Sequence, residues 1–433
     1  MTYYNINNPS EKVSLRTAVL KSVKHISDLY MPEKLPYMGS GFFEKLGKMS
    51  LTEIAIAVSK TMFGRDIPDS SLERIVSKSL TFPVPLRQLD EDLFVLELFH
   101  GPTLAFKDIG ARYMSAIFED LLQNEKKEIT ILAATSGDTG GAVANAFFNC
   151  RGIKVVILYP SGKVSEIQEK QMTTMGGNIT TLEIDGDFDD CQRLVKEAFS
   201  DEQLNEQLTL TSANSINFAR LFPQTFYYFH AVAQLGVIDN PVAISVPCGN
   251  FGNLTAGLIA KKMGLQVDKF IAATNANHAV VDYLLNGRYE PLPTRHTITS
   301  AMDVGNPSNF PRVLELFNKN HNDLAASIDG YWFTDGQTNE AMNDLQTRYK
   351  YQSDPHGAVA YLGLRAYQEK YRCKGVFLET AHPAKFQHEV ESATKTQVKV
   401  PEALVSLLAM DKRSVKIAAN FSLLKEFLSG SFS

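Results

Sequence analysis

From residue 93 the chain alternates between short apolar runs and segments with helical periodicity. The runs cover residues 93–99, 129–134, 154–159, 179–184, 243–247, 270–275 and 375–380. A strand that is apolar on consecutive positions has both faces covered, and helices between such strands supply the crossovers. The pattern therefore predicts an α/β protein with open, parallel-type sheets and helices on both faces. In such sheets ligands sit beyond the carboxyl ends of the strands. Polar turns follow four of the runs, at 100–108, 135–141, 248–253 and 380–385.

The turn at 100–108 reads His-Gly-Pro-Thr-Leu-Ala-Phe-Lys-Asp and leads into a helical segment. Lys107 falls in the first turn of that helix. The positive end of the helix dipole disfavours the charged amine there. A deprotonated lysine is what Schiff-base chemistry needs. Lys107 is therefore either a solvated surface lysine or the residue that carries a cofactor aldehyde, and the other turns have to supply the rest of such a site.

Three turns bear on that choice. Gly249-Asn250-Phe251-Gly252-Asn253 follows a strand and opens a helix, where two glycines and the dipole favour a phosphate. It lacks the Lys-Ser/Thr of a nucleoside-triphosphate loop and the GxGxxG of a dinucleotide site. Thr135, Ser136, Gly137, Asp138 and Thr139 form either a capped turn or an anion site for a carboxylate. Thr380 begins the turn Thr-Ala-His-Pro-Ala-Lys-Phe, where its hydroxyl serves as a cap or faces a ring nitrogen; His382 and Lys385 read as surface residues. Asn214, Ser215 and Asn217 open a long helix predicted over 216–235. With Arg220 they make either a capped start or a phosphate site, and Lys163, Ser165, Gln168 and Lys170 add polar groups nearby in sequence.

Composition narrows the classes. The 433 residues are 44% hydrophobic and 21% charged, enough for a sizeable core. A net charge of −5 argues against nucleic acid or an anionic membrane as partner. The four cysteines lack paired spacing, so neither a metal site nor a redox pair is indicated, and their scarcity suits a reducing compartment. The start of the chain has no signal-peptide pattern and no run reaches membrane-spanning length, so a cytoplasmic protein is expected. HExxH and GxSxG motifs do not occur.

Residues 1–90 read as a mostly helical region, with helices over 14–24 and 50–63, and the segment from 401 as small helices. The large α/β domain is expected at 91–112 and 236–400, and a smaller one at 113–235.

Taken together, these turns resemble the fold type II pyridoxal-phosphate enzymes, whose fold is that of the tryptophan synthase β subunit. Within them the chain is similar to the threonine synthase family, in its bacterial and fungal branch, over nearly its whole length. The stretches that carry the likeness are 97–108, 134–140, 212–217, 246–253 and 380–386. The resemblance implies pyridoxal 5′-phosphate on Lys107, its phosphate on Gly249 to Asn253, and its ring nitrogen on Thr380. It implies that Thr135, Ser136, Gly137 and Thr139 take the substrate carboxylate. Asn214, Ser215 and Arg220, with Asn217 and Lys163, would take the phosphate of O-phospho-L-homoserine. Asp138 stands where many relatives have an Asn that donates to the cofactor phenolate. An ionised Asp cannot donate, so Asp138 is protonated, points elsewhere, or leaves that oxygen to another group. The implied enzyme is a lyase of threonine biosynthesis working as monomer or homodimer, with the smaller domain closing over substrate. A related phospholyase, a serine/threonine dehydratase and a non-catalytic binding protein on the same fold are the alternatives.

Overall fold

The computed structural model describes residues 1–20, 28–123, 128–236 and 240–430. Two compact units form, one from residues 1–33, 107–220 and 400–433, the other from 34–106 and 221–399. Their boundaries at 106/107 and 220/221 differ from the 112/113 and 235/236 expected from the sequence.

The first unit holds a five-stranded parallel sheet in the order Val415–Ala418, Ile179–Asp185, Ile153–Pro160, Ile129–Ala134, Thr209–Thr211. The helix Phe188–Ser200 shows how the sequence builds one face. Asp187 and Asp190 close a capping box at its start, and Cys191, Leu194, Val195, Ala198 and Phe199 recur at helical spacing on the buried side. They pack on Leu132, Leu158 and Leu182 of the sheet.

The second unit holds a six-stranded sheet in the order Ile328–Trp332, Lys269–Thr274, Val242–Pro247, Lys374–Glu379, Leu93–Glu97, Leu86–Asp90. All neighbours are parallel except the last pair. The helix Pro355–Gln368 lies against it, and Ser245 donates its hydroxyl to the carbonyl of Ala360 at 2.6 Å.

Three expectations need correction. The N-terminal segment contains a three-stranded antiparallel sheet, Asn8–Ser14, Thr2–Asn5 and Tyr30–Pro32, before its helices. The first helix is described only as Leu15–Leu20, and the rest of the expected 14–24 span lies outside the described residues. The single helix expected over 216–235 is two α-helices, Phe218–Leu221 and Thr225–Leu235, joined by a 3-10 turn at Phe222–Gln224. Pro223 lacks the amide that a continuous helix would use. The segment after 401 contributes the strand Val415–Ala418 as well as two helices.

Candidate active site

In the second unit the turns that follow the strands Leu93–Glu97 and Lys374–Glu379 are zipped together. Phe106 donates its amide to the carbonyl of Thr380 at 2.9 Å, and His382 donates its amide to the carbonyl of Leu104 at 3.0 Å. Ala105 and Ala381 form an antiparallel bridge. Lys385 is 1% exposed and donates Nζ to the carbonyl of Thr103 at 2.9 Å. It is therefore a buried tie between the turns, not a surface residue. His382 is half-buried; its Nδ1 accepts the amide of Ala384 at 3.1 Å, and its ring packs edge-on against Phe99. His100 joins Glu97 at 2.7 Å and Arg87 joins the same carboxylate at 3.0 Å. Burial pushes the Glu97 carboxyl up, but the hydrogen bonds from His100 and Arg87 outweigh it and hold it below the usual range.

Leu104 in this turn and Phe251 in the glycine turn both take left-handed backbone conformations, at φ 57° and 60°. For bulky side chains that conformation is strained, and such strain gathers at functional turns. Phe251 caps the helix Gly252–Lys262, whose first amides have no intrahelical partner. Asn250 accepts the Ser308 hydroxyl at 3.0 Å. The side-chain oxygen of Asn253 accepts the phenols of Tyr227 and Tyr228 at 2.5 and 2.6 Å. Burial pushes both phenols well up, so they remain donors. The Asn253 amide nitrogen is left buried without a partner among the described residues. A helix N-terminus without a side-chain cap and a buried Nδ2 donor fit a phosphate monoester. Thr380 is 7% exposed, which suits a hydroxyl paired to a neutral ring nitrogen.

In the first unit Lys107 is the first residue of the helix Lys107–Leu122, and its Nζ lies 3.8 Å from Asp138 Oδ2. Asp138 begins the helix Asp138–Phe147 and accepts the Gln168 side-chain amide at 2.9 Å. It thus points to Lys107 on one side and Gln168 on the other. Gln168 in turn closes a capping box with Ser165.

Several sequence candidates are engaged inside the fold. The Thr135 hydroxyl accepts the amides of Gly137 and Gly140 at 3.0 and 2.8 Å and donates to the carbonyl of Gly137 at 3.1 Å. That fills a hydroxyl's capacity, so Thr135 shapes the turn, while Ser136 and Thr139 are half-buried beside it. Asn217 donates to the carbonyls of Val19 and Ser212 at 2.9 and 3.3 Å and accepts the Ala219 amide at 3.0 Å. Arg220 is 4% exposed and donates to the carbonyl of Ala213. Burial lowers its pKa to about 10 against the opposing charge of Asp108, so it stays protonated at neutral pH. Lys170 donates to the carbonyl of Met410, and Lys163 is exposed. Asn214 Oδ1 is buried without a partner among the described residues.

Residues that the sequence reading passed over are Asp354, His356 and Glu379, all buried. The Asp-Pro pair at 354–355, a helix-start signature, was the available signal.

Residues 79–378 match the family described as pyridoxal-phosphate dependent enzyme. Residues 2–80 match the threonine synthase N terminus, and residues 357–428 the threonine synthase C-terminal family. A threonine synthase of Haemophilus influenzae is 44% identical over 430 residues, 99% of each chain. The crystal structure of threonine synthase from Escherichia coli matches with a TM-score of 0.92 at 43% identity, over 99% of this chain and 100% of that one. The structure of pyridoxal-phosphate-bound threonine synthase from Brucella melitensis matches with a TM-score of 0.91 at 33% identity, over 100% and 99%. Fold and turns together define a fold type II enzyme whose cofactor is pyridoxal 5′-phosphate. Within that class, the chain belongs to the threonine synthase family.

The half-buried His382 gives the fold a pH dependence. Burial, then the charge of His100, lowers its pKa from 6.5 to about 4. Burial does the same to His230, also to about 4. Both are lowered in the fold, so their contribution is complete above pH 6.5 and is lost as pH falls from 6.5 to 4. The slope is up to about 1.4 kcal/mol per pH unit for each histidine. Melting temperature measured across that window should fall, and it should fall less in His382→Asn, which keeps an acceptor for the Ala384 amide but does not titrate. Identical slopes in the two proteins would remove His382 from the account.

Proposed function

We infer that the enzyme converts O-phospho-L-homoserine and water into L-threonine and inorganic phosphate, by γ-elimination followed by β-addition. The observation that carries this reading is the full-length likeness to threonine synthases. It includes terminal segments that lie outside the general pyridoxal-phosphate match.

When bound, the cofactor supplies an electron sink for the charge that develops as C–H bonds of the substrate break. Lys107 is the residue we assign to the cofactor aldehyde. Gly249, Asn250, Phe251, Gly252 and Asn253 would hold its phosphate, and Thr380 its ring nitrogen. Displaced by the substrate amine, Lys107 becomes a base for the Cα proton, and later returns a proton to the same carbon. Asp138 faces the Lys107 amine and holds it in place. Ser136, Gly137 and Thr139 would take the α-carboxylate. Asn214, Ser215 and Arg220, with Lys163, are proposed for the substrate phosphate, while Asn217 keeps their loop in shape. Loss of a Cβ proton then expels phosphate from Cγ, Cγ gains a proton, and water adds its hydroxyl at Cβ as the proton returns to Cα.

No helix among the described residues is long and apolar enough to cross a membrane. A cytoplasmic enzyme acting on this small molecule, as monomer or homodimer, is the setting we propose, in keeping with the few cysteines.

Turnover in ¹⁸O-water tests the reaction. Elimination breaks the Cγ–O bond, so phosphate should carry no label while the threonine hydroxyl carries one atom. Labelled phosphate would mean attack at phosphorus, and 2-oxobutyrate as main product would mean a phospholyase or dehydratase.

A further inference from the structure

Asp354, His356 and Glu379 form a buried polar cluster in the second unit. Every hydrogen bond given to Asp354's carboxylate is accepted. Oδ1 accepts the backbone amide of His356 at 2.7 Å and its ring Nδ1–H at 2.6 Å, and Oδ2 accepts the amide of Ala381 at 3.3 Å. The other ring nitrogen, Nε2, accepts the amide of Ala301 at 3.2 Å. A backbone amide only donates, so Nε2 carries the lone pair and Nδ1 the proton. The imidazole is thereby held neutral in one tautomer. Behind it, burial and then the charge of Asp354 push the Glu379 carboxyl well up. Glu379 accepts the Ser353 hydroxyl at 2.7 Å and the backbone amide of Asp354 at 2.6 Å.

The two ends of this pair reach two different turns. Ala381 follows Thr380. Ala301 abuts the glycine turn: a Cβ on Gly249 would lie 2.7 Å from the carbonyl oxygen of Ala301 and 2.9 Å from Met302 Cα. The segment 300–302 is thus the wall against which Gly249 rests. The His356 ring also packs edge-on against Phe386, at the far end of the Thr380 turn.

We propose that Asp354 and His356 are positioning residues that hold the ring-nitrogen turn and the phosphate turn in fixed relation, Asp354 acting through Ala381 and His356 through Ala301. Neither touches the reacting atoms. The inference rests on the assignment of Thr380 and of Gly249 to Asn253 to the cofactor. A single neutral tautomer serves this purpose, since a proton on Nε2 would break the Ala301 arm.

The arms are separable by substitution. His356→Asn keeps a donor to Asp354 and is too short to accept from Ala301. His356→Gln places an oxygen near the Nε2 position and restores that acceptor. Asp354→Asn must turn its NH2 either toward the two donors of His356 or toward the Ala381 amide, so one arm is lost whichever way the amide faces. The measurement is binding of pyridoxal 5′-phosphate and of pyridoxal to cofactor-free protein, with melting temperature of the cofactor-free variants alongside.

His356→Asn should weaken pyridoxal 5′-phosphate about tenfold and pyridoxal little, since about one hydrogen bond positioning the phosphate turn is lost. His356→Gln should recover most of that loss. Asp354→Asn should weaken both ligands and shift the absorbance of bound cofactor. Equal losses for both ligands in His356→Asn, or no recovery in His356→Gln, would reduce the pair to a structural element and overturn the proposal. Variants too unstable to purify would do the same, since positioning alone leaves the fold standing. If wild-type protein binds the cofactor but not through Lys107, it is the site assignment that has failed, and that result is read independently from the mass of the modified peptide.

Discussion

Lys107→Ala should abolish turnover of O-phospho-L-homoserine, with a loss of at least about 10⁴-fold, because both covalent attachment and proton transfer are removed. The purified variant should lack the visible absorbance of the lysine-bound cofactor. Borohydride reduction should label the peptide containing Lys107 in the wild type and no peptide in the variant. The lysine side chain is 18% exposed at the start of its helix, so the cofactor-free variant should melt close to the wild type. A small added amine should restore part of the activity, since the helix start and Asp138 remain. A variant that kept both turnover and absorbance would move the chemistry to another residue.

Gly137→Ala should cost both stability and activity. Gly137 has φ 141°, a conformation L side chains rarely adopt, and a Cβ there would lie 2.5 Å from the side-chain amide carbon of Gln168. Gln168 has little room to move: it is 4% exposed, closes a capping box with Ser165 and donates to Asp138. Backbone strain and at least one broken hydrogen bond together cost about 2–4 kcal/mol. In a unit of this size that corresponds to a drop of roughly 5–12 °C in melting temperature. Because Asp138 is the next residue and faces Lys107, kcat should fall about 100-fold through misplacement of the amine. Adding Gln168→Ala should relieve the steric part and leave the strain, so the double variant should be more stable than Gly137→Ala alone. If it were less stable, the clash with Gln168 would not be the cause.

Apart from Leu86–Asp90, Thr209–Thr211, Ile328–Trp332 and Val415–Ala418, the strands of both larger sheets were legible because buried parallel strands are apolar on consecutive positions, a pattern few loops share. The short N-terminal strands were not. Asn8–Ser14 reads Asn-Pro-Ser-Glu-Lys-Val-Ser, exposed or half-buried throughout, and its pairing comes from Thr2–Asn5 rather than from a buried face of its own. Val415–Ala418 is four residues long and becomes a strand only because Ile179–Asp185 offers it an edge. The break at Pro223 was readable, since a proline inside a helical pattern removes an amide wherever it falls.

The polar turns at the strand ends were legible for a related reason. A strand end followed by Gly, Pro, Ser or Thr and then a helix start is a local arrangement, and Lys107, Asp138, Gly249 and Thr380 all sit in such turns. Spacing alone could not tell which polar groups stay available. Thr135 and Asn217 have the residue types of ligands, yet their donors and acceptors are used on Gly137, Gly140, Val19, Ser212 and Ala219.

The amino-acid order therefore determined the α/β class, the strand ends that carry polar turns, and the lysine among them. The tertiary structure decided which turns are tied together: Phe106 to Thr380, Lys385 to Thr103, Asp354 to Ala381. Those ties link residues up to 282 positions apart. A hydrogen bond between distant segments leaves no periodic trace in either one, and it exists only after burial has removed the water that would otherwise satisfy both groups.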